Sequence, residues 1–249
     1  MNDSESRSPI ARLATPRGAI LFDCLRAAQA DAAWLRPAHW LGAEEDAARG
    51  GRGAVWFVHG DFGAGVLRHY RRGGLMARIN GDRYLWQDEE STRSFREFRL
   101  LTTLRARGLP VPAPLVAGYR RYGLYYRADL LTALIPRAQT LAQRLQAGAP
   151  VPANWGAIGA TIARFHAQGA YHADLNAHNI MLDDAGAVWL IDFDRGELRA
   201  AQPAWQQDNL ARLQRSLRKL GAEKRDGWGQ AWGTLTEAYH QQLGQGFAA

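Results

Sequence analysis

Two short apolar strands, Ile180-Met181-Leu182 and Val188-Trp189-Leu190-Ile191, are joined across Asp183-Asp184-Ala185-Gly186 and bracketed by Asn179 and Asp192. A turn of that composition folds the strands back on each other, so the residues at the open end of the hairpin become neighbours. Immediately upstream runs Tyr171-His172-Ala173-Asp174-Leu175-Asn176-Ala177-His178, which places Asp174 five positions before Asn179 and Asn179 thirteen before Asp192. Any fold for this chain must therefore hold a loop, a strand, a tight turn and a second strand, with two carboxylates and a carboxamide converging at one end.

The rest of the chain is long enough to support such a site. It has 249 residues, 47% of them hydrophobic, which suffices for one large domain or two small lobes. Cys24 is the only cysteine, so no intrachain disulfide forms and a reducing compartment is the natural setting. The opening residues Met1 to Pro9 are polar and lead into no apolar run, so the expected location is cytoplasmic. Charged residues, Gly or Pro interrupt every apolar stretch well before the roughly 20 residues of a membrane span. The formal net charge of +7 suits anionic partners, whether phosphorylated substrates, nucleic acid or anionic lipid. It rests almost wholly on arginine, because Lys219 and Lys224 are the only lysines. The tryptophans Trp34, Trp40, Trp86, Trp155 and Trp205 read as packing residues rather than base-stacking platforms, so nucleic-acid binding is not expected. No protein partner is evident.

Ala54 to Val58 and Gly65 to Tyr70 alternate like strands around Gly60-Asp61-Phe62-Gly63, which predicts an antiparallel hairpin. Phe95, Phe98, Leu101 and Leu104 recur at helical spacing between Ser91 and Arg107, ahead of Gly108 and Pro110. Short strands are expected over Leu115 to Gly118 and Gly123 to Leu131, and a small amphipathic helix over Ala19 to Ala30. Past Leu134-Ile135-Pro136 the pattern turns helical, with helices over Thr140 to Gln146, Trp155 to His166 or Gln168, Trp205 to Leu220 and Trp228 to Leu243. The expected fold class is α+β and bilobal: residues 1–135 form an N-terminal antiparallel sheet lobe with one main helix, and residues 136–249 a mainly helical C-terminal lobe.

Phosphoryl transfer from ATP asks a protein for positioning and charge cancellation more than for covalent chemistry. One carboxylate orients the attacking hydroxyl and receives its proton, a second holds Mg²⁺ against the phosphates, and an amide oxygen completes the metal shell. Asp174, Asp192 and Asn179 are of these types and stand in a workable order.

The same residues resemble the protein-kinase-like superfamily, whose catalytic loop reads H-x-D-L-x-x-x-N and whose metal motif reads D-F-G. His172, Asp174, Leu175 and Asn179 match the first, and Asp192 and Phe193 the second. The resemblance implies Asp174 as catalytic base, Asn179 and Asp192 as magnesium ligands, and His172 as support for the loop. Asp194 replaces the usual glycine and reads as a capping group; His178 reads as a turn-shaping residue. Asn176 stands where protein kinases place a lysine, and no A-P-E segment follows Asp194, which turns the expectation away from protein substrates. In the N-terminal lobe, Gly51 and Gly53 of Gly50-Gly51-Arg52-Gly53 are candidates for a phosphate-cradling turn. With no lysine in that lobe, Arg68 takes the position of the third-strand lysine, and Glu97 is the candidate helix partner. Arg71 and Arg72 form a basic turn that could equally face an anionic acceptor or solvent.

Longer strings are more specific. Gly51 to Phe57, Val66 to Leu75, Tyr171 to Ile180 and Trp189 to Gly196 look like the 3-deoxy-D-manno-octulosonic acid (Kdo) kinase family, and the resemblance runs from about Arg49 to Leu220. It implies an alcohol-acceptor phosphotransferase that moves the ATP γ-phosphate to the 4-hydroxyl of Kdo on a Kdo-lipid A precursor during lipopolysaccharide core assembly. ATP and Mg²⁺ are the implied cofactors, and the implied place of work is the cytoplasmic face of the inner membrane, with the protein peripheral on that anionic surface. Another small-molecule kinase, of heptose or aminoglycoside type, and a nucleotide-binding pseudokinase scaffold are the alternatives.

Overall fold

The structure is a computed structural model that describes residues 10–45, 55–71, 82–147 and 154–245. Its chain falls into two compact units, Met1–Ala106 with Pro112–Leu134, and Arg107–Val111 with Ile135–Ala249.

The first unit is built on an antiparallel sheet. Strand β1 (Ile10–Thr15) turns at Pro16-Arg17 into β2 (Gly18–Asp23), with Ile10 opposite Asp23 and Thr15 opposite Gly18. The expected helix over Ala19 to Ala30 is therefore overturned. β2 pairs on its other edge with β7 (Pro114–Tyr122), and Ala19, Ile20 and Leu21 are all buried. A strand enclosed on both faces reads as a continuous apolar run, and period alone does not separate such a run from a helix. The strand stops at Asp23, whose buried carboxylate accepts from the Leu25 backbone N–H at 2.9 Å, an Asx turn that redirects the chain.

β3 (Glu44–Glu45), β4 (Val55–Gly60), β5 (Gly63–His69), β6 (Tyr84–Leu85) and β8 (Tyr125–Ala133) complete the sheet, whose order is β1-β2-β7-β8-β5-β4-β3 with β6 also paired to β8. The β4/β5 hairpin turns where expected, with Gly60 opposite Gly63. β7 and β8 run longer than their apolar cores suggest. They meet at Gly123, whose φ of 61° lies in the left-handed region that glycine enters without strain, so the residue belongs to the turn and not to the second strand. Helix α1 (Arg93–Ala106) buries Phe95, Phe98, Leu101 and Leu104, as the spacing requires. It is anchored by the Ser94 hydroxyl, which donates to the Gly118 carbonyl at 2.9 Å. A separate core joins Ile20, Val58, Leu67, Val116 and Leu131 with Leu35 and the aromatic side chains of Trp34, Trp40 and Phe62.

The second unit is mainly helical. β9 (Gln139–Thr140) leads into α2 (Leu141–Gln146), started by a capping box between Thr140 and Gln143. Then come α3 (Trp155–Ala167), β10 (Ala170–Tyr171), β11 (Ile180–Leu182), β12 (Val188–Leu190), β13 (Glu197–Leu198), α4 (Pro203–Lys219) and α5 (Trp228–Gln245). β11 lies between β12 and β9, and β10 pairs with β13. α3 and α5 approach so closely that a Cβ on Gly159 would stand 2.0 Å from the Leu235 carbonyl oxygen. Only a residue without a side chain permits that packing.

His166 seals the same helix pair. Its Nδ1 lies 2.9 Å from the Tyr239 hydroxyl, and burial pushes its pKa down to about 4. In the unfolded chain the imidazole titrates near 6.5, so the unfolded state takes up the proton first as pH falls. The stability held by the neutral ring is complete above pH 6.5 and is lost as pH falls from there towards 4, by roughly 3 kcal/mol. Urea midpoints measured between pH 7 and pH 4.5 should fall steeply, and His166→Gln should flatten the decline. An equally steep decline in the variant would assign the acid sensitivity to other groups.

Candidate active site

In the second unit the loop from Tyr171 to Asn179 is organised around a buried imidazole. His172 donates from Nε2 to the Ile191 carbonyl at 2.9 Å and accepts at Nδ1 from the Asp174 backbone N–H at 3.1 Å. Both bonds together require the neutral ring with its proton on Nε2. Burial, the largest influence on this group, holds its pKa below the usual histidine range and keeps that state. One face of the ring rests on Phe193, 4.6 Å between centroids, and Phe193 in turn stacks on Phe165 of α3. His172 thus ties the Asp174 loop to the strand end that carries Asp192.

Asn179 makes the second tie. Its side-chain N–H₂ donates to the Asp174 carbonyl at 2.9 Å, and its own carbonyl accepts from the Ile191 N–H at 3.0 Å. With Nδ2 so engaged, Oδ1 is the lone-pair side of the amide and suits a hard cation. Asn176 closes the loop beneath, donating from Nδ2 to the Asp174 carbonyl and accepting at Oδ1 from the His178 N–H. Position 178 therefore enters through its backbone. Asp192 has a φ of 64°, in the left-handed region where a non-glycine residue is strained, and Arg195 has 61°. Aspartate is among the few side chains that tolerate this conformation, because it can bond locally to backbone. The backbone at Phe193 to Gly196 is closed by a turn bond of 2.7 Å.

Asp174 is 43% exposed, so a substrate hydroxyl can reach it, and its Oδ1 lies 3.0 Å from Nη1 of Arg212 on α4. The same helix supports the loop through Ser216, whose Oγ accepts from the Ala177 N–H. Neither residue stands out in the sequence reading. The signal that could have found them is their four-residue separation, which puts both on one face of a helix that follows the Asp192 strand.

In the first unit, Arg68 Nη2 lies 2.5 Å from Glu97 Oε2, joining β5 to the middle of α1. Glu97 is buried, and the hydroxyl of Tyr70 donates to the same oxygen. The Arg68 guanidinium also lies over the Tyr70 ring, 4.7 Å from its centroid. Tyr70 stands two residues beyond Arg68, on the same side of the strand, and alternation is the signal that marks it. Gly51 and Gly53 lie outside the described residues, as does Arg72; Arg71 is exposed. Among the described residues no group of three or more His, Cys, Asp or Glu is placed to hold a metal ion.

Similarity to known proteins agrees with this chemistry. The solved structure of WaaP in complex with acyl carrier protein matches with a TM-score of 0.53 at 16% identity, covering 81% of this chain and 79% of that one, which establishes a shared kinase-like fold. Curated relatives named 3-deoxy-D-manno-octulosonic acid kinase are 53% identical in Stenotrophomonas maltophilia (strain R551-3), covering 83% of each chain, and 50% identical in Xanthomonas axonopodis pv. citri (strain 306), covering 92% of each. A third with that name, in Xylella fastidiosa (strain M23), is 48% identical over 92% of each chain. Residues 33–239 match the model of one family over most of the chain's length, and the chain belongs to it: the lipopolysaccharide kinase (Kdo/WaaP) family.

Proposed function

We propose that this kinase transfers the γ-phosphate of ATP to the 4-hydroxyl of Kdo on a Kdo-lipid A precursor. The observation that carries the chemistry is the pair of ties from His172 and Asn179, which hold an exposed carboxylate, Asp174, in fixed relation to the strand end bearing Asp192. The acceptor is inferred from relatives of that name at about half identity over most of the chain. Asp174 receives the hydroxyl proton. Asn179 and Asp192 would hold Mg²⁺, which when bound supplies neutralisation of phosphate charge. In the first unit Arg68, steadied by Glu97 and Tyr70, contacts the nucleotide phosphates in place of the usual lysine, together with the backbone around Gly51 and Gly53.

Incubation with labelled ATP, Mg²⁺ and a Kdo-lipid A precursor should yield a product one phosphate heavier by mass analysis, and no product would sink the assignment. Asp174→Asn should lower turnover by about 10²- to 10⁴-fold with little effect on unfolding temperature. Asp192→Asn keeps the left-handed preference of the position and should fold like the parent while losing activity; wild-type turnover in either variant would move the role elsewhere.

The Arg68 assignment is separable from that of the base. Arg68→Ala should raise the KM for ATP about tenfold or more, and Arg68→Lys should recover part of the loss. An unchanged KM in the alanine variant would remove Arg68 from the nucleotide site.

We further propose that the protein works while peripheral on the cytoplasmic face of the inner membrane. No helix among the described residues is long and apolar enough to cross a membrane. In support, Leu85 and Leu124 are 62% and 73% exposed near the β7/β8 turn, where the Trp86 N–H donates to the Leu124 carbonyl. Exposed Arg17 and Arg121 line one surface depression with Leu124 and Trp86, and the Arg121 N–H donates to the Arg17 carbonyl at 2.7 Å. Apolar tips flanked by arginine suit an anionic lipid surface. Sedimentation with phosphatidylglycerol vesicles should retain the protein, and Leu85→Asp with Leu124→Asp should weaken binding about tenfold or more. Retention equal to wild type would exclude this patch.

A further inference from the structure

A guanidinium bound to the side chain of a candidate base needs a reason. The Arg212 to Asp174 contact joins α4 to the loop, with Nη1 to Oδ1 at 3.0 Å, and the Arg212 side chain is 48% exposed. A surface pair of this exposure contributes little to stability. What it does is fix where the fork sits. Arginine presents five N–H donors in a rigid plane and can hold two carboxylates at once. One edge meets Asp174, and the solvent-open remainder lies beside the carboxylate that is to receive the acceptor hydroxyl.

The chemistry of the acceptor supplies the second carboxylate. An octulosonic acid that is deoxygenated at carbon 3 and glycosidically linked through carbon 2 carries its acid group at carbon 1, attached to ring carbon 2, and its first free hydroxyl at carbon 4. When the 4-hydroxyl approaches Asp174, the acid group stands two ring carbons away, within reach of a guanidinium already bonded to Asp174. The surroundings are consistent with an anionic acceptor. Arg215 and Lys219 are exposed at i+3 and i+7 from Arg212, so basic groups continue along that face of α4, with Asp208 as the acidic group one turn earlier.

We propose that Arg212 is the residue that recognises the acceptor's carboxylate, and so selects an acidic sugar over a neutral one. The proposal rests on the kinase reading above and deepens it by naming what the acceptor side of the site reads. Heptose-type acceptors, which lack the acid group, leave the open edge of the fork without an anionic partner, and selection follows from that difference.

The test compares a Kdo-lipid A precursor with the same compound carrying the Kdo carboxylate as a neutral amide, using wild type, Arg212→Ala and Arg212→Lys. Wild type should show a KM for the amide about 10- to 100-fold above that for the acid. In Arg212→Ala that ratio should fall to about one, through a raised KM for the acid, while the KM for ATP stays at its wild-type value; Arg212→Lys should recover part of the preference. Unfolding temperatures of the three proteins serve as the control for folding. A wild type that treats acid and amide alike overturns the proposal, as does an Arg212→Ala variant that keeps the wild-type preference. A variant that loses kcat equally on both acceptors at unchanged KM also overturns it, by making Arg212 a positioning residue for Asp174. If wild type phosphorylates neither compound, the function assignment itself fails, an outcome separate from the others.

Discussion

The two hydrogen bonds of His172 are the constraint on which the geometry of the candidate site depends. They run in opposite senses from one ring, accepting from the Asp174 backbone on one side and donating to the Ile191 carbonyl on the other. Only the neutral Nε2–H tautomer does both, and burial against Phe193 secures that state. Because the bonds reach the backbone, they set the Asp174 loop against the strand end that leads into Asp192. The stack from His172 through Phe193 to Phe165 carries the arrangement into α3, which is itself locked to α5 at Gly159. A packing contact between two helices and the placing of the Asp174 loop are thus parts of one chain of contacts.

In the first unit the same economy is reached by different means. With lysine absent from this part of the sequence, β5 carries an arginine, Arg68, paired with Glu97 of α1, and its surroundings differ from those a lysine would need. A lysine would pair with Glu97 as a point charge. The planar guanidinium also lies over an aromatic ring, and Tyr70 supplies both that ring and a hydroxyl donor for the same carboxylate. Glu97 is satisfied from two directions, which is what permits a carboxylate to be buried there.

Legibility in the sequence followed the range of the interaction. The hairpin from Ile180 to Leu190, the helix bearing Phe98 and the β4/β5 turn are set by local spacing and turn chemistry, and the structure has them where the pattern puts them. The order Asp174, Asn179, Asp192 was readable because one loop and one hairpin join the three. β2 was not readable: its apolar run owes its strand conformation to neighbours on both edges, one of them about a hundred residues away in the chain. The pairing of Arg68 with Glu97 depends on matching two elements and could be anticipated only through resemblance to a family. For Arg212 and Tyr70, spacing marks the side of the helix or strand on which each stands, but not the partner that each will touch.

The backbone at Asp192 has a consequence for how such a protein could change over time. A left-handed conformation there admits few residues, and the ones that fit best besides aspartate are glycine and asparagine. Each is a single nucleotide substitution away from an aspartate codon. With the metal-binding role proposed for Asp192, two substitutions one nucleotide away erase the charge and keep the backbone, so a descendant that no longer works as an enzyme would still fold. The route from a member of this family to a folded, inert relative is short, and the twist of one peptide unit lays it out.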